Sequence, residues 1–167
     1  AEAMAAKGRA VAVVFAARTF VRNNDVEHDY RQDSDFYWLT GLDEPDSVLV
    51  LRTGAGDTPA SYTLFVRPRD KEREIWDGPR TGVEGAIGTH GADAAYEIGR
   101  FGDEFPKLLE ERDRLYYRLG KDRGNDDRVL TTLDRLRGRG RATTTTPSEI
   151  VDPSVILHEL RLRKSPE

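Results

Sequence analysis

The feature that most constrains the fold is an uninterrupted apolar run, VAVVFAA at Val11–Ala17. Seven such residues are too few for a membrane span and too β-branched for a comfortable helix. They fit a strand covered on both faces, which places that strand in the middle of a sheet. Two more strands follow at Ser47–Arg52 (SVLVLR) and Ser61–Arg67 (SYTLFVR). The turn-forming TGAGDTPA between them predicts a hairpin. Glu74–Trp76 (EIW) reads as a short fourth strand, and Arg114–Leu119 (RLYYRL) as a fifth ended by Gly120.

Helical patterns alternate with these runs. Ser34–Leu39 (SDFYWL) starts at a capping residue, Ser34, and stops at Gly41. Gly102–Arg112 takes Asp103 as its cap and sets Phe105, Leu108 and Leu109 on one face. Asp126–Arg137 spaces Val129, Leu130, Leu133 and Leu136 helically. Pro153–Arg163 has Asp152 as cap, Pro153 at its first position, and Val155, Ile156, Leu160 and Leu162 as apolar residues. Ala142–Pro147 (ATTTTP) reads as a polar linker. Alternating strands and helices predict one α/β domain, a mixed sheet of mainly five or six strands flanked by helices. At 167 residues the chain is long enough to bury a core without staples, and it contains no Cys. Both ends read as cut: AEAM resembles the end of a longer helix, and RLRKSPE runs on without closing a domain.

Charge narrows the partners. There are 26 basic residues against 30 acidic ones, a net charge of -4 that offers no general attraction to a phosphate backbone. Nucleic acid is therefore not an expected partner, and with no apolar run near the roughly 20 residues of a span, neither is a membrane. The basic cluster RLRGRGR at Arg135–Arg141 lacks interleaved aromatics and reads as a solvated helix end. A ribonuclease H-like nuclease would need carboxylates converging from several strand ends, whereas the acids here crowd one segment.

That segment holds Asp25, Glu27, Asp29, Asp33, Asp35, Asp43, Glu44 and Asp46, opposed only by Arg31. A calcium loop fails on detail, because Tyr30 stands where the turn needs Gly and Phe36 where it needs a bidentate Glu. His28 has no second His near it, and HELRL at His158–Leu162 has Leu162 where a zinc motif needs its second His. Gly82, Gly85 and Gly88 (GxxGxxG) do not match a dinucleotide loop and read as a Gly-rich turn region. There is neither Cys nor a GxSxG elbow for nucleophilic catalysis. The residues themselves offer no catalytic residue and no metal ligand.

The stretch YRQDSDFYWLTGLDEPDSVLVL around Arg31–Asp46 resembles the amino-terminal domain of bacterial Xaa-Pro aminopeptidases (aminopeptidase P), a domain shared with creatinase and prolidase. RNNDVEHDY before it, EIWDGPR at Glu74–Arg80 and HELRLRKSPE at His158–Glu167 fit the same family in order, so the resemblance covers nearly the whole chain. It implies a creatinase amino-terminal, ribonuclease H-like fold over residues 1–163. Residues 164–167 would then begin the link to a carboxy-terminal pita-bread catalytic domain. That domain would hold two manganese ions on two Asp, one His and two Glu, none of them in this chain, and cleave before proline.

The resemblance further implies a non-catalytic role in oligomer assembly and substrate access, with this chain inactive by itself. Partners would be the pita-bread domain, a second copy of the chain in a dimer or tetramer, and short proline-containing peptides, in the cytoplasm. Trp76 takes the place of a Trp that reaches a neighbouring subunit's active site, with a core Trp as the other reading. Asp25 takes the place of an acid near the active-site entrance, with a turn residue as the other reading. Arg31, Gln32 and Asp35 are expected to be structural. The alternative is a free-standing peptide- or protein-binding module derived from this family.

Overall fold

The computed structural model describes residues 8–24, 26–54, 59–138 and 145–162. Eight strands and six α-helices are assigned among them. In chain order they are β1 (Ala10–Phe15), β2 (Val21–Asn23), β3 (Val26–Glu27), α1 (Ser34–Thr40), β4 (Val48–Arg52), β5 (Ser61–Val66), α2 (Lys71–Asp77), α3 (Gly82–Gly88), β6 (Ala94–Glu97), α4 (Phe101–Leu109), β7 (Arg114–Tyr116), α5 (Arg123–Arg137), β8 (Glu149–Val151) and α6 (Ser154–Leu162). Six strands form one sheet in the order β6-β5-β4-β1-β7-β8, and β2 pairs antiparallel with β3 in a separate ribbon.

β1 is interior to the sheet and its first four residues are buried, as its continuous apolar run requires. It runs parallel to β7, with Val11 opposite Leu115. Against β4 it runs antiparallel, since Ala16 N–H donates to Ser47 O while Thr53 N–H donates to Ala10 O. The sheet is therefore mixed. β4 and β5 are sheet neighbours joined by residues 53–60, too short for a crossover, which agrees with the expected hairpin; residues 55–58 lie outside the description.

The chain clusters into two compact units. The unit of residues 14–50 and 62–101 buries Phe36, Leu42, Leu64, Phe65, Ala86 and Phe101. Phe101 meets Phe65 edge-on at 5.1 Å and Phe15 at 5.7 Å. Phe65 lies opposite Tyr96 across β5–β6, and their rings stack at 5.5 Å. The unit of residues 1–13, 51–61 and 102–167 buries Phe105, Leu109, Leu115, Val129, Leu133 and Leu136. Ala10, Ala12 and Tyr116 form a buried cluster there, with Leu51, Val151 and Ile156 against it.

Several expectations change. EIW is helical: α2 spans Lys71–Asp77, with Asp70 accepting from the Glu72 and Arg73 N–H groups. Three residues are too few to show a period, and this cap decides the conformation. Gly82–Gly88 is helix α3 rather than a turn region, held by the complete burial of Ala86 rather than by propensity. Asp33, not Ser34, caps α1. Asp103 lies inside the first turn of α4, because a 3₁₀ turn at Ile98–Arg100 leads directly into that helix. α5 begins at Arg123 under an Asp122 cap, and Thr132 rather than Leu130 completes its buried face. On α6, Leu157 is buried while Val155, Leu160 and Leu162 are exposed. β6 and β8, at the two edges of the sheet, and the β2–β3 ribbon are too short to stand out as runs.

α4 contains Pro106, which has no N–H to offer the Gly102 carbonyl four residues back. Arg135 Nη2 donates to that carbonyl instead, at 2.8 Å. Arg137 Nη2 donates to Pro147 O at 2.6 Å. Both described arginines of the basic cluster thus bond to backbone carbonyls, and Arg139–Arg141 lie outside the described residues.

Candidate functional site

The acidic segment is organised around Gln32. Its Oε1 accepts from Ala17 N–H at 2.8 Å and Asp33 N–H at 2.9 Å, and its Nε2 donates to Leu42 O at 3.2 Å and Glu44 O at 2.9 Å. One amide thereby ties the end of β1 to both ends of α1 and to the loop beyond. Asp33 spends its carboxylate on the Asp35 and Phe36 N–H groups. Gly41 ends α1 in the left-handed region, φ 65°, and donates to Tyr37 O.

The carboxylates do not converge. Asp35 and Glu44 are buried, whereas Glu27, Asp29, Asp43 and Asp46 are exposed. Burial, then the Asp43 charge, pushes the Tyr30 hydroxyl well above its ordinary range. Asp25 lies outside the described residues. His28 is exposed, and its N–H donates to Phe20 O. His90 Nδ1 is 2.9 Å from Thr40 O, and His158 is exposed on α6. Among the described residues no group of three or more His, Cys, Asp or Glu could hold a metal ion. The two-metal site that the family resemblance implies is expected in a separate pita-bread domain, and the described residues hold no such donor set. Nor is any helix among them long and apolar enough to cross a membrane.

Trp76 is 88% exposed and its neighbour Ile75 78% exposed, near the end of α2. Trp76 is therefore not a core side chain among the described residues. The helix that carries them sits on an excursion from Pro68 to Thr81 whose base is closed by polar contacts. Glu44 Oε2 pairs with Arg67 at 3.2 Å, just before the excursion. Its Oε1 accepts from Thr81 N–H at 2.6 Å and from the Thr81 hydroxyl, at the far end. Arg80 Nη1 donates to Pro68 O at 3.3 Å. Within the excursion Arg69 makes a two-pronged pair with Glu74, at 3.0 and 2.9 Å. That pair holds the Glu74 carboxyl below its usual range. Sequence reasoning named Trp76 but missed Glu44 as a tie, together with Arg67, Arg69, Arg80 and Thr81. No local signal marks them, because Glu44 and Thr81 are 37 positions apart.

A shallow groove of about 470 Å³ lies along α4, lined by Gly102, Asp103, Pro106, Lys107, Glu110 and Arg135. Its cations are engaged, Lys107 with Glu104 at 2.8 Å and Arg135 with Gly102 O.

A six-stranded mixed sheet flanked by helices defines an α/β domain, and Trp76, the most exposed aromatic among the described residues, is presented on a pinned excursion. The family model for the aminopeptidase P N-terminal domain matches residues 1–116, and the chain belongs to that family. The Xaa-Pro aminopeptidase of Escherichia coli K12 is 38% identical over 156 residues, covering 93% of this chain and 35% of that protein. Human Xaa-Pro aminopeptidase 3 is 34% identical over 156 residues, covering 92% and 30%. Among solved structures, aminopeptidase PepP of Pseudomonas aeruginosa is 46% identical with a TM-score of 0.86, covering 94% of this chain and 35% of that one. Aminopeptidase P of E. coli in its low-pH form is 38% identical with a TM-score of 0.88, covering 95% and 36%. The E. coli enzyme is also known in a zinc-substituted form in complex with product. The chain spans about a third of the length of these relatives.

Proposed function

We propose that this chain is the non-catalytic amino-terminal domain of a proline-specific metallo-aminopeptidase. Residues 1–163 form the domain and 164–167 lead towards a pita-bread catalytic domain, where the two manganese ions and the cleavage of Xaa-Pro peptides reside. In this reading the domain builds a homo-oligomer, and Trp76 and Asp25 border the active site of a neighbouring subunit. The setting is cytoplasmic, in keeping with a chain that contains no Cys.

The observation that carries the reading is the exposure of Trp76, 88%, on an excursion whose base is tied down. An indole buries roughly 150–250 Å² when it meets a partner, and it has few rotors to freeze. A well-held aromatic plate suits the wall of a peptide site.

The test is Trp76→Ala in the full-length enzyme. The expected result is a loss of about tenfold or more in kcat/KM on a short Xaa-Pro peptide, roughly 1.4 kcal/mol of transition-state stabilisation. Stability should stay within about 0.5 kcal/mol, as for a surface side chain. Unchanged kinetics would remove Trp76 from the site. Hydrolysis of an Xaa-Pro peptide by the 167-residue chain alone, supplied with manganese, would refute the non-catalytic assignment.

A further inference from the structure

We propose that Glu44 is a positioning residue for Trp76: one buried carboxylate holds both ends of the excursion that presents the indole. The inference rests on the reading of Trp76 given above and adds to it the device that fixes the side chain in place.

The argument starts with placement. The Glu44 side chain is 11% exposed and that of Arg67 15%, so their pair is largely shielded from water and salt. Its two oxygens divide the work, Oε2 on Arg67 and Oε1 on the Thr81 N–H and hydroxyl. Arg67 immediately precedes Pro68, and Thr81 immediately follows Arg80. The carboxylate therefore spans the base of the loop, and the Arg80–Pro68 contact closes it a second time.

Glu44 is itself held. Gln32 Nε2 grips its carbonyl at 2.9 Å and that of Leu42 at 3.2 Å, while Gln32 Oε1 takes Ala17 N–H beyond β1. A continuous line of hydrogen bonds runs from the end of β1 through Gln32 and Glu44 to Thr81. Trp76 and Ile75 gain little packing from the body of the domain, as their exposure shows. The orientation of α2 therefore depends on its base. The inner Arg69–Glu74 pair stiffens the excursion, but Arg69 is 62% exposed and gives no anchor to the sheet.

The experiment compares Glu44→Gln, Thr81→Val and Thr81→Ser with Trp76→Ala in the full-length enzyme. Glu44→Gln keeps the size but sets an amide against Arg67. Thr81→Val removes the hydroxyl, and Thr81→Ser restores it. Amide hydrogen exchange over residues 71–81 should accelerate about tenfold or more in Glu44→Gln and Thr81→Val, with β7 and α5 unchanged, and Thr81→Ser should match the parent. KM for a short Xaa-Pro peptide should rise severalfold with kcat within about twofold. In a Trp76→Ala background, Glu44→Gln should still accelerate exchange but add no further kinetic loss.

If exchange over 71–81 does not change in Glu44→Gln or Thr81→Val, Glu44 is not the tie and the proposal fails. It fails equally if the kinetic losses of Glu44→Gln and Trp76→Ala simply add. If Trp76→Ala alone leaves kinetics untouched, the underlying reading of Trp76 fails, and the exchange data then judge the anchoring by themselves.

Discussion

Replacing Gly82 by alanine puts a methyl group where the structure has no room for one. Two costs can be separated. Gly82 sits at φ 62°, a left-handed conformation that costs an L-residue about 1–2 kcal/mol. A Cβ built there would also lie 2.5 Å from Arg69 Cγ and 3.0 Å from its Cδ. Those atoms belong to the stem of Arg69 rather than its flexible end. To restore an ordinary contact of roughly 3.5–4 Å the stem must swing away by about 1 Å. That movement takes the guanidinium off Glu74, which it now meets at 3.0 and 2.9 Å. Because Arg69 is 62% exposed, the loss of that pair adds little. The backbone cost therefore sets the scale, about 1–2 kcal/mol. At roughly 2–4 °C per kcal/mol for a chain of this length, Tm should fall by about 2–8 °C.

Urea titration of Gly82→Ala, Arg69→Ala and the double variant tests the reasoning. The collision exists only while Arg69 is present. The double variant should therefore lose measurably less than the sum of the two singles. Strict additivity would show that the steric argument is wrong, and a neutral Gly82→Ala would refute the backbone argument as well.

Two other outcomes follow from local chemistry. Asp33→Ala leaves the Asp35 and Phe36 N–H groups without their cap and should cost about 1 kcal/mol by urea denaturation, whereas Asp33→Asn should cost little. Tyr117 is buried and donates to Asp126 at 2.6 Å; burial first, then that carboxylate, raises its pKa far above the ordinary value near 10. Below pH 10 the hydroxyl is neutral in both folded and unfolded chains. Above it the unfolded chain loses the proton first, so stability declines as pH rises, and the Cm of Tyr117→Phe should decline less steeply between pH 10 and 11.5.

Local pattern made much of the fold legible. A continuous, β-branched apolar run fits an interior strand, and β1, Ala10–Phe15, is one. The spacing of Val129, Leu133 and Leu136 placed one face of α5 inside. The same logic failed where the signal was short. EIW has three residues and therefore no period, and α2 exists because Asp70, outside those three, caps it. Leu162 obeys a helical spacing yet is exposed, since periodicity marks a face without saying what covers it.

The candidate site divides in the same way. The wording of the chain from Arg31 to Asp46, with EIWDGPR after it, was enough to indicate the family and to single out Trp76. It could not say whether that indole was core or surface. Nor could it say which of eight neighbouring carboxylates would be buried and paired. Sequence alone determined properties that act between near neighbours: strand and helix periods, turn chemistry and capping potential. Only the tertiary structure decided the partners of Glu44, because Arg67 and Thr81 reach it across 23 and 37 positions once the sheet has formed. A carboxylate's role is set by what surrounds it, and here those surroundings come from distant parts of the chain.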